Sequence, residues 1–153
     1  MQDEHAVIRS ATAGDAGKIV SIAQEAYAMY VPRMGKKPFP MLDDYGAHIR
    51  DGHAAVLEVG GEVQGFVILL PEGSGTLLLD NVAESPACQG RGYGRMLIGY
   101  AVDAARARGC ERIILYTNVA MTENQALYPH LGFAESHRIC EKGYQRIYYA
   151  KDL

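Results

Sequence analysis

The stretch Val82-Ala83-Glu84-Ser85-Pro86-Ala87-Cys88-Gln89-Gly90-Arg91-Gly92-Tyr93-Gly94-Arg95 constrains this chain more than any other. It follows the apolar run Thr76 to Ala83 and opens a segment carrying Leu97, Tyr100, Ala101 and Ala104 at helical spacing, so it reads as strand, glycine loop, helix. Three glycines on alternate positions let successive backbone N–H groups turn toward one point. The first turn of the helix adds N–H groups with no intrahelical partner and the positive end of the helix dipole. Arg91 and Arg95 contribute fixed positive charge. Such an arrangement is a cradle for a pyrophosphate. Spacing excludes two other glycine-rich phosphate loops: a dinucleotide fingerprint starting at Gly90 or Gly92 would need its third glycine at Arg95 or Leu97, and a P-loop needs Gly-Lys followed by Ser or Thr, which this chain lacks.

The remaining chain reads as alternating elements. Val7-Ile8-Arg9 forms a first strand, and Ala13-Gly14 a turn with Asp15 as N-cap; a helix follows with Ile19, Ile22, Ala23, Ala26 and Tyr30 on one face, ending before Pro32. Prolines 32, 38 and 40 with Gly35 predict a loop from Val31 to Leu42, and a short helix spans about Asp43 to Arg50. Ala54–Val59, Gly60-Gly61 and Glu62–Leu70 are a hairpin with a type I′ turn, which needs positive φ at both central residues. Thr76–Ala83 completes an antiparallel meander. After the glycine loop, Gly109 stops the helix and Glu111–Thr117 returns as a strand, parallel to the strand before the loop because a helical crossover joins them. Thr122 and Gln125 fit a capping box, Gly132 ends that helix, and strands near Phe133–Ile139 and Tyr144–Lys151 pair antiparallel around Gly143.

At 153 residues the chain is expected to be one domain, 1–153. No apolar run approaches the roughly 20 residues of a membrane span. A formal charge of −3, with Arg33, Lys36 and Lys37 as the only short basic group, argues against general nucleic-acid binding. The acidic, polar Met1-Gln2-Asp3-Glu4-His5 lacks the regions of a secretory signal, so a cytoplasmic location is expected. Cys88, Cys110 and Cys140 are odd in number and widely spaced, which argues against disulfides and a zinc site; Cys88 reads as a small filler beside the loop.

Two motifs in order, Gln89-x-x-Gly92-x-Gly94 and Asn124-Gln125-Ala126-Leu127-Tyr128-Pro129-His130-Leu131-Gly132-Phe133, resemble the GNAT N-acetyltransferase superfamily, and the resemblance covers nearly the whole chain. It implies an α/β fold of order β-α-α-β-β-β-α-β-α-β-β, whose mixed, mostly antiparallel sheet is splayed between its fourth and fifth strands. It implies acetyl-CoA as cosubstrate, with no metal, and transfer of its acetyl group to a primary amine by direct attack through a tetrahedral intermediate. The peptides of Val82, Ala83 and Glu84 would run beside the pantetheine arm, Gln89, Gly90, Arg91, Gly92, Tyr93, Gly94 and Arg95 would hold the pyrophosphate, and Val82 N–H would donate to the oxyanion. Tyr128 matches the family's general acid, since a phenol of pKa ~10 stays protonated at neutral pH. Asn124 lies one turn before it and is a candidate cofactor contact, although the family often carries asparagine seven residues before the tyrosine, where this chain has Met121.

Asp80, Glu84 and Glu123 are alternatives for the base. In the family the acceptor lies against the first two helices and their loop, here Tyr27, Tyr30, Arg33, Lys36, Lys37 and Phe39. Expected partners are a small-molecule or peptide amine, with a homodimer allowed, and neither nucleic acid nor a membrane. The alternative to an enzyme is an acyl-CoA-binding sensor or interaction module without turnover.

Overall fold

A computed structural model describes residues 5–153; Met1–Glu4, and so most of the acidic N-terminus, lie outside the described residues. Seven strands, β1 (Ala6–Ser10), β2 (Ala54–Val59), β3 (Glu62–Pro71), β4 (Thr76–Glu84), β5 (Arg112–Asn118), β6 (Ala134–Glu141) and β7 (Tyr144–Asp152), hydrogen-bond in the order β1-β2-β3-β4-β5-β7-β6. The β4–β5 pair is parallel, as the crossover requires, while β1–β2, β2–β3, β5–β7 and β6–β7 are antiparallel. Five α-helices accompany them: α1 (Ala16–Tyr27), α2 (Val31–Met34), α3 (Tyr45–Arg50), α4 (Tyr93–Ala107) and α5 (Thr122–His130). No helix among the described residues is long and apolar enough to cross a membrane.

The chain divides into two compact units, one formed by the residues through Leu69 with Asn81–Ala101, the other by Leu70–Asp80 with Val102–Leu153. In the first, Ile19, Ile22 and Ala23 of α1 are buried, together with Val56, Leu57, Phe66, Val67 and Ile68 of the hairpin. Gly60 and Gly61, at φ +61° and +85°, turn that hairpin in the conformation their sequence requires. In the second unit Leu77 and Leu79 of β4, Ile113 and Leu115 of β5, and Ile147 and Tyr149 of β7 bury alternate side chains on one face.

Several local expectations are corrected. The stretch Val31–Leu42 is not an uninterrupted loop: Pro32 stands in the first turn of α2, where its missing N–H costs nothing, and Phe39–Met41 forms a 3₁₀ turn anchored by Gln24 Nε2 donating to Met41 O at 2.8 Å. Met121, not Thr122, caps α5, and Gln125 Nε2 instead donates to Val119 O. Helix α4 buries Leu97, Ile98, Ala101, Val102 and Ala105, so its inward stripe is rotated from the one that included Tyr100 and Ala104. Gly109, at φ +76°, ends it as expected. Helix α3 starts at Tyr45 rather than at about Asp43, and Asp44 caps it by accepting from Ala47 N.

Asp15 stands at the start of α1, but its carboxylate makes no cap bond to that helix. It accepts from Thr12 N at 2.7 Å and from Arg9 Nη1 at 2.8 Å, and Arg9 also pairs with Glu58 of β2, so one guanidinium ties β1 to both neighbours. The Arg9 hydrogen bond, against an opposing effect of burial, holds the Asp15 carboxyl down at about 2. A folded value below the unfolded one adds stability above about pH 4 that disappears as the pH falls through about 2. Asp15→Asn should therefore lower stability at neutral pH by roughly 1 to 2 kcal/mol, reduced from the full linkage value because Arg9 is about a third exposed, and the deficit should vanish in urea titrations near pH 2.

Candidate functional site

The β4–β5 ladder begins at Thr76–Arg112 and ends at Leu79–Leu115, although β4 continues to Glu84 and β5 to Asn118. Beyond that point β4 keeps its contact with β3: Ser85 N–H donates to Gln64 O at 2.7 Å, and a Cβ at Gly65 would lie 3.1 Å from Ala83 O. In a strand the N–H and C=O of one residue share a side and alternate along the chain. Residues 83 and 85 therefore address β3, and the backbone groups of Val82 and Glu84 point to the opposite edge. Val82 O is met there not by a strand but by the Tyr27 hydroxyl at 3.1 Å.

After β4, Pro86–Cys88 makes a 3₁₀ turn with Cys88 buried, and Gly90 and Gly92 follow at φ +84° and +83°. Positive φ on alternate residues around Arg91 is the kind of backbone turn from which anion-binding nests are built. Gly92 O accepts the first α4 bond, from Met96 N, which leaves the amides of the first helical turn directed outward. Gly94 does not share the special conformation. It lies within α4, where a Cβ would make an ordinary 3.5 Å contact with Glu84 Oε1. Gly90 and Gly92 thus have the positive φ that the sequence reading asked of three glycines, while at Gly94 neither the backbone angle nor the space requires glycine. Gln89, Arg91 and Arg95 are exposed around the turn and Tyr93 opens the helix.

The remaining sequence-derived candidates have distinct settings. Glu84 packs beside the first turn of α4; its Oε2 is buried without a hydrogen-bond partner among the described residues, and burial raises its pKa above the ordinary carboxylate value. Asp80, the first β4 residue past the β5 ladder, accepts from Tyr116 OH at 2.9 Å. Tyr128 is buried, edge-on to Phe133 with ring centres 6.2 Å apart and tilted against Tyr149 at 5.7 Å. Asn124 Nδ2 donates to Thr117 Oγ1 at 3.0 Å, which ties α5 to β5. Glu123 lies in the first turn of α5. Tyr27 and Tyr30 are 6.2 Å apart, and Arg33 lies over the Tyr30 ring at 5.1 Å; Lys36 and Lys37 are exposed beyond α2, and Phe39 opens the 3₁₀ turn.

Sequence reasoning missed two groups. Arg146, 5% exposed on β7, stacks over Tyr116 at 4.2 Å and bonds Glu141 at 3.0 Å, and Glu141 also accepts a short bond from Tyr148. Burial, then the Glu141 bond, push the Tyr148 phenol up to about 12, while burial and the Asp80 charge raise that of Tyr116 further. The second group is Asn81, buried on β4 between Tyr27 and Tyr45. An asparagine inside the apolar run Leu77 to Ala83 was its signal, because a buried amide needs partners.

Residues 19–133 match the family model described as Acetyltransferase (GNAT) family, three quarters of the chain, and the chain belongs to that family. It is 36% identical over 99 residues to the uncharacterized N-acetyltransferase YjgM of Escherichia coli K12, covering 61% of this chain and 59% of the relative. Over 48 residues it is 48% identical to a mycothiol acetyltransferase of Beutenbergia cavernae, covering 31% of this chain and 16% of that protein. The chain thus spans less than two thirds of the length of these relatives. Among solved structures, the PaiA N-acetyltransferase of Thermoplasma acidophilum in complex with coenzyme A shares the fold at TM-score 0.82 and 14% identity, over 97% of this chain and 99% of that one.

The raised Glu84 value has a stability consequence. A carboxyl titrating higher in the folded than in the unfolded state favours folding at acid pH, and that contribution is lost as pH rises through its folded value. Glu84→Gln should make the fall in melting temperature from mildly acidic to neutral pH shallower than in the parent protein; an identical pH slope in both would show that Glu84 is not the group responsible.

Proposed function

We propose that the chain transfers an acetyl group from acetyl-CoA to a primary amine of a small molecule or peptide, by direct attack through a tetrahedral intermediate. The observation that carries this reading is the continuity of two features on one stretch: a β4 edge at Val82 and Glu84 facing away from β3, and the Gly90–Gly92 nest opening α4. The first suits an amide-bearing arm lying along a strand edge, the second a pyrophosphate, and coenzyme A carries both. Family membership and the fold shared with a coenzyme A complex support the same ligand.

In this reading acetyl-CoA supplies an activated acyl group as a thioester. Val82 N–H donates to the carbonyl oxygen as negative charge develops there. The amine nitrogen bonds to the carbonyl carbon and the carbon–sulfur bond breaks. Asp80, held by Tyr116, takes the proton from the amine, and Tyr128 gives its phenolic proton to the departing sulfur. We favour Asp80 over Glu84 as base because Glu84 packs against the α4 turn assigned to the pyrophosphate. Gln89, Arg91, Tyr93, Gly94 and Arg95 border that turn, Ala83 lies along the arm, and Asn124 supports the helix bearing Tyr128. Tyr30, Arg33 and Lys36 are assigned to the acceptor.

A panel of amines and amino acids with acetyl-CoA, read by free thiol and product mass, tests the activity. Thiol release should depend on the amine; slow hydrolysis indifferent to every amine would instead mark an acyl-CoA sensor. With an amine that turns over, Tyr128→Phe should lower kcat by about 10² to 10⁴-fold, while acetyl-CoA affinity and melting temperature change little, since one neutral hydrogen bond is worth about 1 kcal/mol. Asp80→Asn should cost at least about 10²-fold in kcat/KM, and Glu84→Gln only a few-fold. The reverse order would move the base to Glu84.

A further inference from the structure

Asn81 is 5% exposed, and its amide joins a hydrogen-bond chain whose direction is set at one end. Pro40 O can only accept, so Tyr45 commits its single hydroxyl proton there, at 2.5 Å. The Tyr45 oxygen must then accept from Asn81 Nδ2, at 2.7 Å, which orients the amide with Oδ1 toward Tyr27. Tyr27 OH shares its one proton between that Oδ1, at 2.6 Å, and Val82 O, at 3.1 Å, a three-centre bond whose shorter arm goes to the amide. The chain therefore grips β4 on both sides of the Val82 Cα: the Asn81 side chain is fixed just before it, and the carbonyl of the following peptide is fixed just after it. Tyr27 and Tyr45 are in turn seated on α1 and α3, and Tyr45 packs edge-on against Phe66 at 5.3 Å.

We propose that Asn81 is a positioning residue, which through Tyr27 sets the orientation of the Val82 peptides and so aims the Val82 N–H at the thioester carbonyl. The inference rests on the reading of the β4 edge as the thioester site, and it gives Tyr27 a part other than acceptor recognition. Val82 has only its backbone to offer, and the β5 ladder that would hold that backbone stops at Leu79. A donor useful in the transition state must already point at the developing charge, and a misplacement of about 1 Å can cost on the order of 10²-fold in rate. A chain of neutral groups, buried at Asn81 and Tyr45, supplies the required rigidity without adding a further charge beside the reacting carbonyl.

The test reads the thioester itself. Difference infrared spectroscopy of acetyl-CoA labelled with ¹³C at the carbonyl, bound to the parent protein, should show a carbonyl stretch lowered from that of free acetyl-CoA, the mark of a donated hydrogen bond. Tyr27→Phe, which keeps the ring and so spares packing, should lose most of that shift, as should Asn81→Ala. The double variant should lose no more than either alone, because both break one chain. With a productive amine, kcat should fall roughly 10- to 100-fold while the KM for the amine and the affinity for acetyl-CoA stay within about threefold. If Asn81→Ala does not fold, Tyr27→Phe carries the test. A shift fully retained in Tyr27→Phe, additive losses in the double variant, or a rise in amine KM at unchanged kcat would each overturn the positioning role while leaving the site reading intact. A parent protein that binds acetyl-CoA without lowering the stretch, or does not bind it, would overturn the site reading and the positioning role together.

Discussion

The end of the β4–β5 ladder at Leu79–Leu115 is the constraint from which the candidate site follows. Up to that pair, parallel hydrogen bonds satisfy the backbone of both strands; past it, the outward N–H and C=O groups of β4 must find other partners, since backbone polar groups removed from water are rarely left unsatisfied. The Tyr27 phenol reaches the Val82 carbonyl as the longer arm of a proton it shares with Asn81. The glycine turn and the first turn of α4 follow ten residues on, after a segment in which the Ser85, Cys88 and Gln89 amides are bonded within the fold. Arg91 and Arg95 add positive charge at the rim, where solvent weakens each contribution.

Features set by local chemistry were legible in the sequence. Gly60-Gly61 could turn a hairpin in one favoured way, and the place of the glycine loop between a strand and an amphipathic helix was readable from spacing. The family motifs placed Tyr128 on the helix that bears it. Features decided by cooperation between distant residues were less legible. The rotation of the α4 stripe depends on which neighbours cover it, and the small alanines along that helix carry little periodic signal. The position of Pro32 inside a short helix depends on the 3₁₀ turn that delivers the chain to it, from Ala28 to Tyr30.

The Asn81 chain shows the limit most clearly. Its partners stand 54 and 36 residues away, so no window of sequence contains them. Only chemistry hinted at them: an asparagine in an apolar strand and tyrosines on helix faces both carry polar ends that burial obliges to pair. The same holds for Arg146, whose guanidinium is buried only because the Tyr116 ring and the Glu141 carboxylate meet it from β5 and β6. In the first case helices α1 and α3, and in the second the neighbouring strands, bring together groups that sequence order keeps apart.

We propose that the outward backbone amides of β4 and those of the glycine turn and the start of α4 bind one ligand. Amide ¹H–¹⁵N spectra of the labelled protein, titrated with acetyl-CoA, test this most directly. Saturable shifts are expected at Val82, Glu84, Gly90, Gly92, Tyr93 and Gly94, with a single shared dissociation constant. Saturable shifts confined to other segments, with these amides unmoved, would contradict it.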